Sequence, residues 1–482
     1  MADGRVRGGS GAIALLGVVA LACARPNVRA APRAAQAPAP MTSPAVAMPS
    51  RALVADVEAA AARIAAVSDA DPEHGWRRLE ELADGIGHRM SGSRALGRAL
   101  DWAAAAMRRD GLDRVRLEPV QVPHWVRGEE HARVVRPVDR PLVILGLGGS
   151  VGTNGTLRAP LVAFDDLDAL RKSTDSLEGA IALVNHTMAP YDETTDEPGY
   201  REGVQARLYA ASAAAALGAR AVLVRSVTAT SLRTPHAGAL EYASDRPKIP
   251  AAAITIEDAD MLVRLARQGP VEVELFLGAH RLPDAPSANA IGEIRGSELP
   301  DEIVLLGAHL DSWDVGQGAS DDGAGCVAVM EALRLLRASG LAPRRTIRAV
   351  LFTAEEYGLA GAKEYARRHG SVRHVAAFET DFGMGAPDAI GVGSGPDAIA
   401  AMAPYLPSFG RFGIRRFRDK ATGADVAPIV RTGAAAFMLL PDGRRYFDFH
   451  HTAADTLDKI RPEDLRRNAA AIALLAYTLA TR

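Results

Sequence analysis

After about residue 290, short continuous hydrophobic runs alternate with segments in which hydrophobic residues recur at helical spacing. Such runs predict strands buried on both faces, and the segments between them predict helices. The predicted strands are 302–306, 346–352, 374–378 and 434–440, and the predicted helices are 325–338, 359–368 and 462–479. This order is typical of an α/β protein with a doubly wound, largely parallel sheet and helices on both faces. Active sites of such sheets lie beyond the carboxyl ends of the strands.

The N-terminal half of the body combines two hydrophobic patterns. Helices 51–68 and 74–84, a further helix ending at Arg109 and a strand at 113–136 are predicted to open the main domain. Residues 140–285 have short hydrophobic runs and many turn residues, which predict an inserted α+β domain. The main domain then comprises 51–139 and 286–482. His186 and His236 stand alone in the insert, so we interpret them as surface or hydrogen-bonded core residues.

Residues 1–24 have the pattern of a secretory signal peptide. Arginines precede a hydrophobic run at 11–24 that is too short to span a membrane. Cleavage after small residues would release a secreted or periplasmic protein. The sequence around Cys23 also resembles a bacterial lipoprotein box, and lipidation there would tether the protein to the bacterial envelope. The alanine- and proline-rich residues 25–50 predict an extended linker.

Composition and charge exclude several classes of protein. The 482 residues are 48% hydrophobic, which excludes a disordered chain and allows about three domains. Lys plus Arg total 56 against 58 for Asp plus Glu, a net charge of -2, so we expect no nucleic-acid partner. The two cysteines are Cys23 and Cys326. Because Cys23 lies in the signal peptide, the folded body forms no internal disulfide, and Cys326 is predicted to be a core residue.

Acidic residues and histidines follow the predicted strands, where an open α/β sheet presents its site. They are His309 and Asp311, Asp321 and Asp322, Glu355 and Glu356, Asp381, and His450 and His451. Taken singly, Asp321 or Asp322 could be a helix N-cap and the glutamates a solvated loop. Together they make a nitrogen and oxygen ligand set without thiolate, suited to zinc and acidic enough for two ions. We therefore predict a dinuclear hydrolytic site.

In order and approximate spacing, these residues resemble the co-catalytic dizinc exopeptidases of metallopeptidase family 28. Residues 89–93, 123–130 and 309–318 are similar to the carboxypeptidase Q branch of that family. The insert at 140–285 is similar to the protease-associated domain of this branch. The resemblance extends over 51–482 and implies the zinc-exopeptidase fold, hydrolysis of short peptides or dipeptides, and a homodimer.

The resemblance also implies which residues hold the metal ions. Asp321 would bridge two Zn²⁺ ions per chain. His309 and Asp381 would complete the ligands of one ion, and Glu356 and His451 those of the other.

The remaining expected roles concern residues beside the ligands. Asp311 would orient His309, since residues two apart on a strand project to the same side. By resemblance, Glu355 would be the general base that takes a proton from the metal-bridging water. A cis peptide bond is also expected between Asp321 and Asp322.

Two functions of other classes stay open at this stage. One is a non-catalytic binding module that has kept its metal ligands, and the other is a single-zinc acyltransferase similar to glutaminyl cyclase. The complete ligand set and Glu355 favour the peptidase. Aminopeptidase, dipeptidase and carboxypeptidase activities are all compatible with the sequence. His450 is open between substrate contact and a structural role.

Overall fold

The computed structural model describes residues 48–195, 197–230 and 232–482. The predicted signal peptide at 1–24, the predicted lipidation site at Cys23 and most of the predicted linker lie outside the described residues. The described chain forms two eight-stranded sheets with flanking helices.

The helices are α1 (Arg51–Ala70), α2 (His74–Ala83), α3 (Arg94–Arg109), α4 (Leu167–Lys172), α5 (Tyr200–Ala216), α6 (Ile256–Gln268), α7 (Ala324–Ala338), α8 (Ala360–His369), α9 (Pro396–Met402), α10 (Leu406–Gly410), α11 (Ala427–Val430), α12 (Tyr446–Phe449) and α13 (Pro462–Thr481). The strands are β1 (Asp113–Val126), β2 (Glu130–Arg136), β3 (Arg140–Leu142), β4 (Ile144–Gly146), β5 (Leu157–Phe164), β6 (Ile181–Val184), β7 (Ala221–Arg225), β8 (Ala251–Ile254), β9 (Glu272–Leu277), β10 (His280–Ile294), β11 (Leu299–His309), β12 (Arg345–Phe352), β13 (His374–Glu379), β14 (Pro387–Val392), β15 (Arg416–Arg418) and β16 (Ala435–Pro441).

The first sheet is the central layer of the main domain. Its strand order is β1-β10-β12-β11-β13-β16-β14-β15. The four middle strands, β12, β11, β13 and β16, are parallel, which confirms the predicted largely parallel sheet. On one side, β10 pairs antiparallel with β12 and with β1; on the other, β14 pairs antiparallel with β16 and parallel with β15.

Strand β11 is buried on both faces of this sheet. Val304 and Leu306 face the hydrophobic cluster formed with α1, α3, α7 and α13, whereas Leu305 faces α8 and α11. The alternation arises because successive side chains of a strand point to opposite faces. With both faces covered, only the end of the strand can present polar side chains to a cavity.

The second sheet comes entirely from residues 130–277, and therefore begins before the expected boundary at 140. Its strand order is β3-β2-β9-β5-β6-β7-β8-β4, and β5 to β8 are parallel. The chain leaves the first sheet through β1 and returns through β10, its antiparallel partner. The single strand predicted at 113–136 divides into β1 and β2. Gly128 separates them at a φ of 69°, where a Cβ would lie 2.7 Å from the carbonyl oxygen of Gly278.

Helix α13 is buried along nearly its whole length from Leu465 to Ala480. It packs against α7 and α1, so it is covered by protein on more than one side. Pro462 occupies the first turn, as predicted, where its missing N–H leaves no helical hydrogen bond unmade. Among the described residues, none of the helices is both long and hydrophobic enough to span a membrane.

We predict that His374, at the start of β13, makes folding stability depend on pH. Its ring nitrogens lie 3.0 Å from the hydroxyl of Tyr365 and 3.0 Å from the carbonyl oxygen of Val372. Burial lowers the pKa of His374 from 6.5 to about 4. Between about pH 6.5 and 4, this histidine is therefore protonated in the unfolded chain but neutral in the folded chain. Stability should fall as the pH drops through this range, by at most about 1.4 kcal/mol per pH unit from this group.

Denaturant unfolding between pH 4 and pH 8 measures this effect. His374→Gln cannot be protonated, so its stability should depend less on pH than that of the wild type between about pH 6.5 and 4. His280→Gln is the matched control, since His280 is exposed. Identical pH slopes for the wild type and His374→Gln would contradict the prediction.

Candidate metal centre

Three neighbouring parallel strands end at one edge of the first sheet. β11 ends at His309, β12 at Phe352 and β13 at Glu379. The residues that follow these strands converge there because parallel strands present their carboxyl ends at the same edge. The sequence-predicted residues placed at this edge are His309, Asp311, Glu355, Glu356 and Asp381.

Two irregular segments bring the other predicted residues to the same edge. The wide turn Ala319–Gly323, which leads into α7, carries Asp321. A cis peptide bond joins Asp321 to Asp322, which confirms the expectation from the resemblance. His450 and His451 follow α12, and His451 has a φ of 61°, an uncommon backbone conformation for a residue with a side chain.

The carboxylate of Asp321 lies between two sets of side chains. Its Oδ1 is 3.1 Å from His309 Nε2, and that nitrogen is 3.4 Å from Asp381 Oδ1. Its Oδ2 is 3.2 Å from His451 Nε2, and that nitrogen is 3.0 Å from Glu356 Oε2. The two oxygens of Asp321 thus face two separate groups of ligand-type atoms. This arrangement suits a carboxylate shared by two cations.

His450 is a further imidazole in this cluster. Its ring stacks on that of His451 with 3.5 Å between the centroids. Its Nε2 is 3.4 Å from Asp321 Oδ2, so these three residues can also bring ligand atoms within 4.8 Å of one another. The structure therefore places His450 at the cavity wall, within reach of the same carboxylate oxygen as His451.

Burial controls the ionisation of the acidic residues. It raises the pKa of Glu355 well above the usual range, and the nearby carboxylates of Asp381 and Glu356 add to the effect. It also raises the pKa of Glu356 and of Asp381. In Asp321, burial is outweighed by the hydrogen bond from His309 and by the nearby imidazoles of His451 and His450, which hold the pKa well below its usual range. Such a buried set of acids requires nearby positive charge or bound protons.

Two carboxylate oxygens of the cluster have no hydrogen-bond partner among the described residues. They are Asp321 Oδ2 and Glu356 Oε1, and both are buried. Because buried polar atoms nearly always have a partner, these oxygens indicate a bound species that accepts their lone pairs. A cluster of imidazole nitrogens and carboxylate oxygens fits a borderline divalent cation such as zinc.

Asp311 contacts its neighbours differently from the expectation. His309 Nδ1 lies 3.0 Å from the backbone carbonyl oxygen of Asp311, while the nearer carboxylate oxygen of Asp311 is 3.9 Å away. That carboxylate instead accepts backbone N–H groups from Glu355, at 3.0 Å, and Glu356, at 3.3 Å. The backbone of Asp311 therefore contacts the histidine, and its side chain holds the segment that carries both glutamates.

Arg89, a buried positively charged side chain next to the site, was not identified from the sequence. Arg89 is fully buried and donates to the backbone carbonyl oxygens of Leu310 at 2.7 Å, Gln317 at 2.8 Å and Gly318 at 2.8 Å. These carbonyls belong to the segment between His309 and the wide turn. Arg89 lies in residues 89–93, which carry part of the family resemblance. Its contact with Leu310 could not be predicted because 221 residues separate the two along the chain.

Asp455 is a second residue that sequence reasoning missed. Its carboxylate accepts backbone N–H groups from Ser320, at 2.7 Å, and from Asp321, at 3.2 Å. Burial, with the charge of Asp321 nearby, raises the pKa of Asp455 to about 7. Its position shortly after the histidine pair was the available signal. Asp455 thus holds the wide turn through its N–H groups, whereas Arg89 binds the carbonyl oxygens just before it.

A cavity of about 660 Å³ opens over the cluster. Strand β16 of the first sheet, helix α5 and loops of both parts of the chain contribute to its wall. Besides the metal-binding candidates, its lining includes Tyr200, Arg201, Arg207, Glu241, Lys363, Phe382, Lys420, Met438, Leu440, Tyr446 and Phe447. The wall thus combines an aromatic and aliphatic part with several cationic side chains.

Residues 130–277, which form the second sheet and its helices and are called here the second-sheet part, contact the cluster directly. Arg207, on α5, places Nη1 3.4 Å from His451 Nδ1. Ala237 donates its backbone N–H to the carbonyl oxygen of His451 at 2.9 Å. His236, expected to be a surface or hydrogen-bonded core residue, lies in the core, and neither ring nitrogen has a partner among the described residues. Burial lowers its pKa to about 3, so it is neutral at ordinary pH.

The fold and the cluster define an α/β protein with a candidate binuclear cation site at the carboxyl ends of parallel strands. Residues 289–476 match the family described as Peptidase family M28. The chain is 39% identical to carboxypeptidase Q of Bos taurus over 409 residues, covering 84% of this chain and 85% of that protein. It is 38% identical to carboxypeptidase Q of Homo sapiens, with the same coverage.

Solved structures agree with these sequence matches. A peptidase M28 precursor from Shewanella amazonensis SB2B superposes with a TM-score of 0.83 at 38% identity, covering 89% of this chain and 97% of that one. A zinc aminopeptidase from Bacillus subtilis has a TM-score of 0.62 at 22% identity, covering 84% and 94%, and shares the fold. The chain therefore belongs to peptidase family M28, in the branch of the carboxypeptidase Q proteins.

We predict that Arg89 stabilises the segment that leads to the wide turn. Arg89→Met would leave several buried carbonyl oxygens without donors, at about 1 to 3 kcal/mol for each unsatisfied group. The free energy of unfolding should fall by about 3 kcal/mol or more, measured by denaturant titration of the metal-free protein. Arg94→Met is the matched control, because Arg94 is exposed and should change stability by less than about 0.5 kcal/mol. Equal stabilities for the two variants would refute the assignment.

Proposed function

We propose that this member of peptidase family M28 is a zinc-dependent exopeptidase with two Zn²⁺ ions per chain, acting on short peptides or dipeptides. The observation that carries the proposal is the carboxylate of Asp321, whose two oxygens face two separate ligand groups. The family supports the peptidase activity, and the shared fold of the zinc aminopeptidase from Bacillus subtilis supports the choice of metal.

In this proposal the two ions share Asp321. His309 and Asp381 complete the ligands of one ion, and Glu356 and His451 complete those of the other. The support is that each histidine Nε2 lies within 3.4 Å of its carboxylate neighbours. The unpartnered oxygens of Asp321 and Glu356 are also explained, because a cation would occupy their free lone pairs.

When bound, the zinc ions would lower the pKa of a water molecule and polarise the scissile carbonyl group. Glu355 lines the cavity beside the cluster, and it is the general base of this proposal. Its carboxylate receives a proton and holds it until the leaving amine takes it. The raised pKa of Glu355 suits this role, because a buried carboxylate holds a proton more tightly than an exposed one. Asp311 fixes the backbone of Glu355.

Helix α5, in the inserted part of the chain, supports the proposed action on short peptides. We assign the insert, residues 140–285 in the sequence-based division, to a protease-associated domain. Tyr200 and Arg207 from this part form one wall of the cavity. A wall over the cluster leaves room for a short peptide and limits access for a folded protein. Aminopeptidase, dipeptidase and carboxypeptidase specificities are alternatives that a substrate panel separates.

Export and assembly belong to the same proposal. We infer that residues 1–24 direct export, that Cys23 is a site for a lipid anchor to the bacterial envelope, and that the protein forms a homodimer. The support for export and anchoring is the sequence of the N-terminal segment, and the support for the homodimer is the family resemblance.

Glu355→Gln tests the proposal. The variant should retain two zinc ions per chain, because Glu355 is not one of the proposed ligands. For the dipeptides that the wild type hydrolyses, kcat should fall by about 10² to 10⁴-fold. Zinc content is measured by mass spectrometry of the dialysed protein, and amino-acid release is followed on a dipeptide panel. Glu58→Gln, an exposed change on α1, is the matched control and should keep full activity.

Chelation provides the second arm of this test. Removing zinc from the wild type should abolish hydrolysis, and returning zinc should restore it. A folded wild-type protein that leaves every dipeptide intact would instead identify a binding module. A single zinc ion at full activity would exclude the two-ion site.

A further inference from the structure

Trp313 contacts both ligands of one half of the proposed zinc site. Its indole Nε1 donates to Glu356 Oε2 at 2.7 Å. Its ring packs edge-on against His451, with 5.7 Å between centroids. The side chain is only 2% exposed, so its position is set by the residues that pack around it. The ring lies in a hydrophobic cluster with Met90 and Trp125 from the main domain and with residues of the second-sheet part.

The ring of Trp313 lies directly on the backbone of Gly148, which follows β4 of the second sheet. A Cβ at Gly148 would lie 2.0 Å from Cη2 and 2.3 Å from Cζ3 of the indole. Any side chain at this position would therefore displace the ring. Gly148 also donates its N–H to Gly238 at 2.9 Å, and its carbonyl oxygen accepts the N–H of Leu240 at 3.0 Å. Gly148 and residues 237–240 thus form one paired support, named here the second-sheet support.

The second-sheet support also holds His451. Ala237, at its end, donates its backbone N–H to the carbonyl oxygen of His451 at 2.9 Å. Arg207 Nη1 lies 3.4 Å from both the carbonyl oxygen of Ala237 and the Nδ1 of His451. The second-sheet support therefore positions both ligands. It positions Glu356 indirectly, through the ring of Trp313, and His451 directly, through a backbone hydrogen bond.

The other half of the site has no such dependence. His309 is the last residue of β11, and Asp381 follows β13, so both are placed by the first sheet itself. His309 Nδ1 is held by the carbonyl oxygen of Asp311, at 3.0 Å, which lies in the same segment. The two halves share Asp321, and within the described part of the chain the second-sheet support bonds to the half that contains His451.

We propose that Trp313 is a positioning residue that couples one zinc ion to the seating of the second sheet. The ion held by Glu356 and His451 binds tightly only while Gly148 and residues 237–240 support Trp313. The ion held by His309 and Asp381 binds independently of this contact. The inference rests on the proposed two-zinc site. Partners that orient a metal ligand contribute about 10 to 100-fold in metal affinity.

Trp313→Phe and Gly148→Ala test the coupling. The first variant removes the indole N–H but keeps an aromatic ring, and the second pushes the ring away with a single methyl group. The wild type and variants are dialysed against buffered zinc over a range of free concentrations, and bound zinc per chain is measured. In both variants the affinity of one ion should fall by about 10 to 100-fold while the other ion stays bound.

Gly269→Ala is the matched control. Gly269 also lies in the second-sheet part, its backbone is extended, and a Cβ there would meet nothing within 4 Å. This variant should bind both ions as the wild type does. Circular dichroism and the retained first ion report that each variant is folded, and if Gly148→Ala does not fold, Trp313→Phe carries the test alone.

Activity gives a readout that general loss of structure would not produce. In Trp313→Phe, kcat should fall at the zinc concentration that saturates the wild type and should recover when zinc is raised, because the weaker site then refills. Two ions bound with wild-type affinities, or both ions weakened equally, would overturn the coupling and leave the proposed function intact. A wild type that binds fewer than two ions or hydrolyses no peptide would overturn the proposed function itself.

Discussion

Negative charge buried at one edge of the first sheet is the constraint on which the rest of the structure depends. Asp311, Asp321, Asp322 and Glu356 are all buried there, and burial of an unpaired carboxylate is costly. The protein meets this cost in two ways. The acids nearest the cavity face imidazoles and the proposed cations. The acids behind them accept backbone N–H groups, so the same charges that would be unfavourable in isolation hold the loops in place.

Buried carboxylates accept backbone N–H groups at three points around the site. Asp311 accepts two N–H groups from the segment after β12, Asp455 accepts two from the wide turn, and Glu379 accepts two from residues 425–426. Arg89 supplies a fully buried positive charge and ties down the segment after β11. The segments that carry Glu356 and Asp321 are thus fixed by buried ionic groups, which allows irregular backbone to present ligands in a defined geometry.

The strand and helix pattern predicted most of what positions the site. The runs at 302–306, 346–352 and 374–378 are β11, β12 and β13, and their parallel pairing brings the predicted acids and His309 to one edge. Errors concentrated where the chain passes between the sheets. A long alternating stretch predicted one strand at 113–136, whereas Gly128 divides it between two sheets. A local pattern of hydrophobic residues cannot distinguish these cases, because both halves alternate in the same way.

The sequence by itself determined the α/β class, the order of the strands that end in acids, and the residue types able to bind metal. These properties are local, since they depend on spacing along a strand and on ligand chemistry. Only the tertiary structure decided which residues support those ligands. Arg89, Arg207 and Ala237 reach the cluster from distant parts of the chain. Trp313, from the segment after β11, reaches Glu356 after β12 and is supported by Gly148 beside the second sheet. Such contacts depend on how two sheets pack together, and a single sequence carries no periodic signal for them.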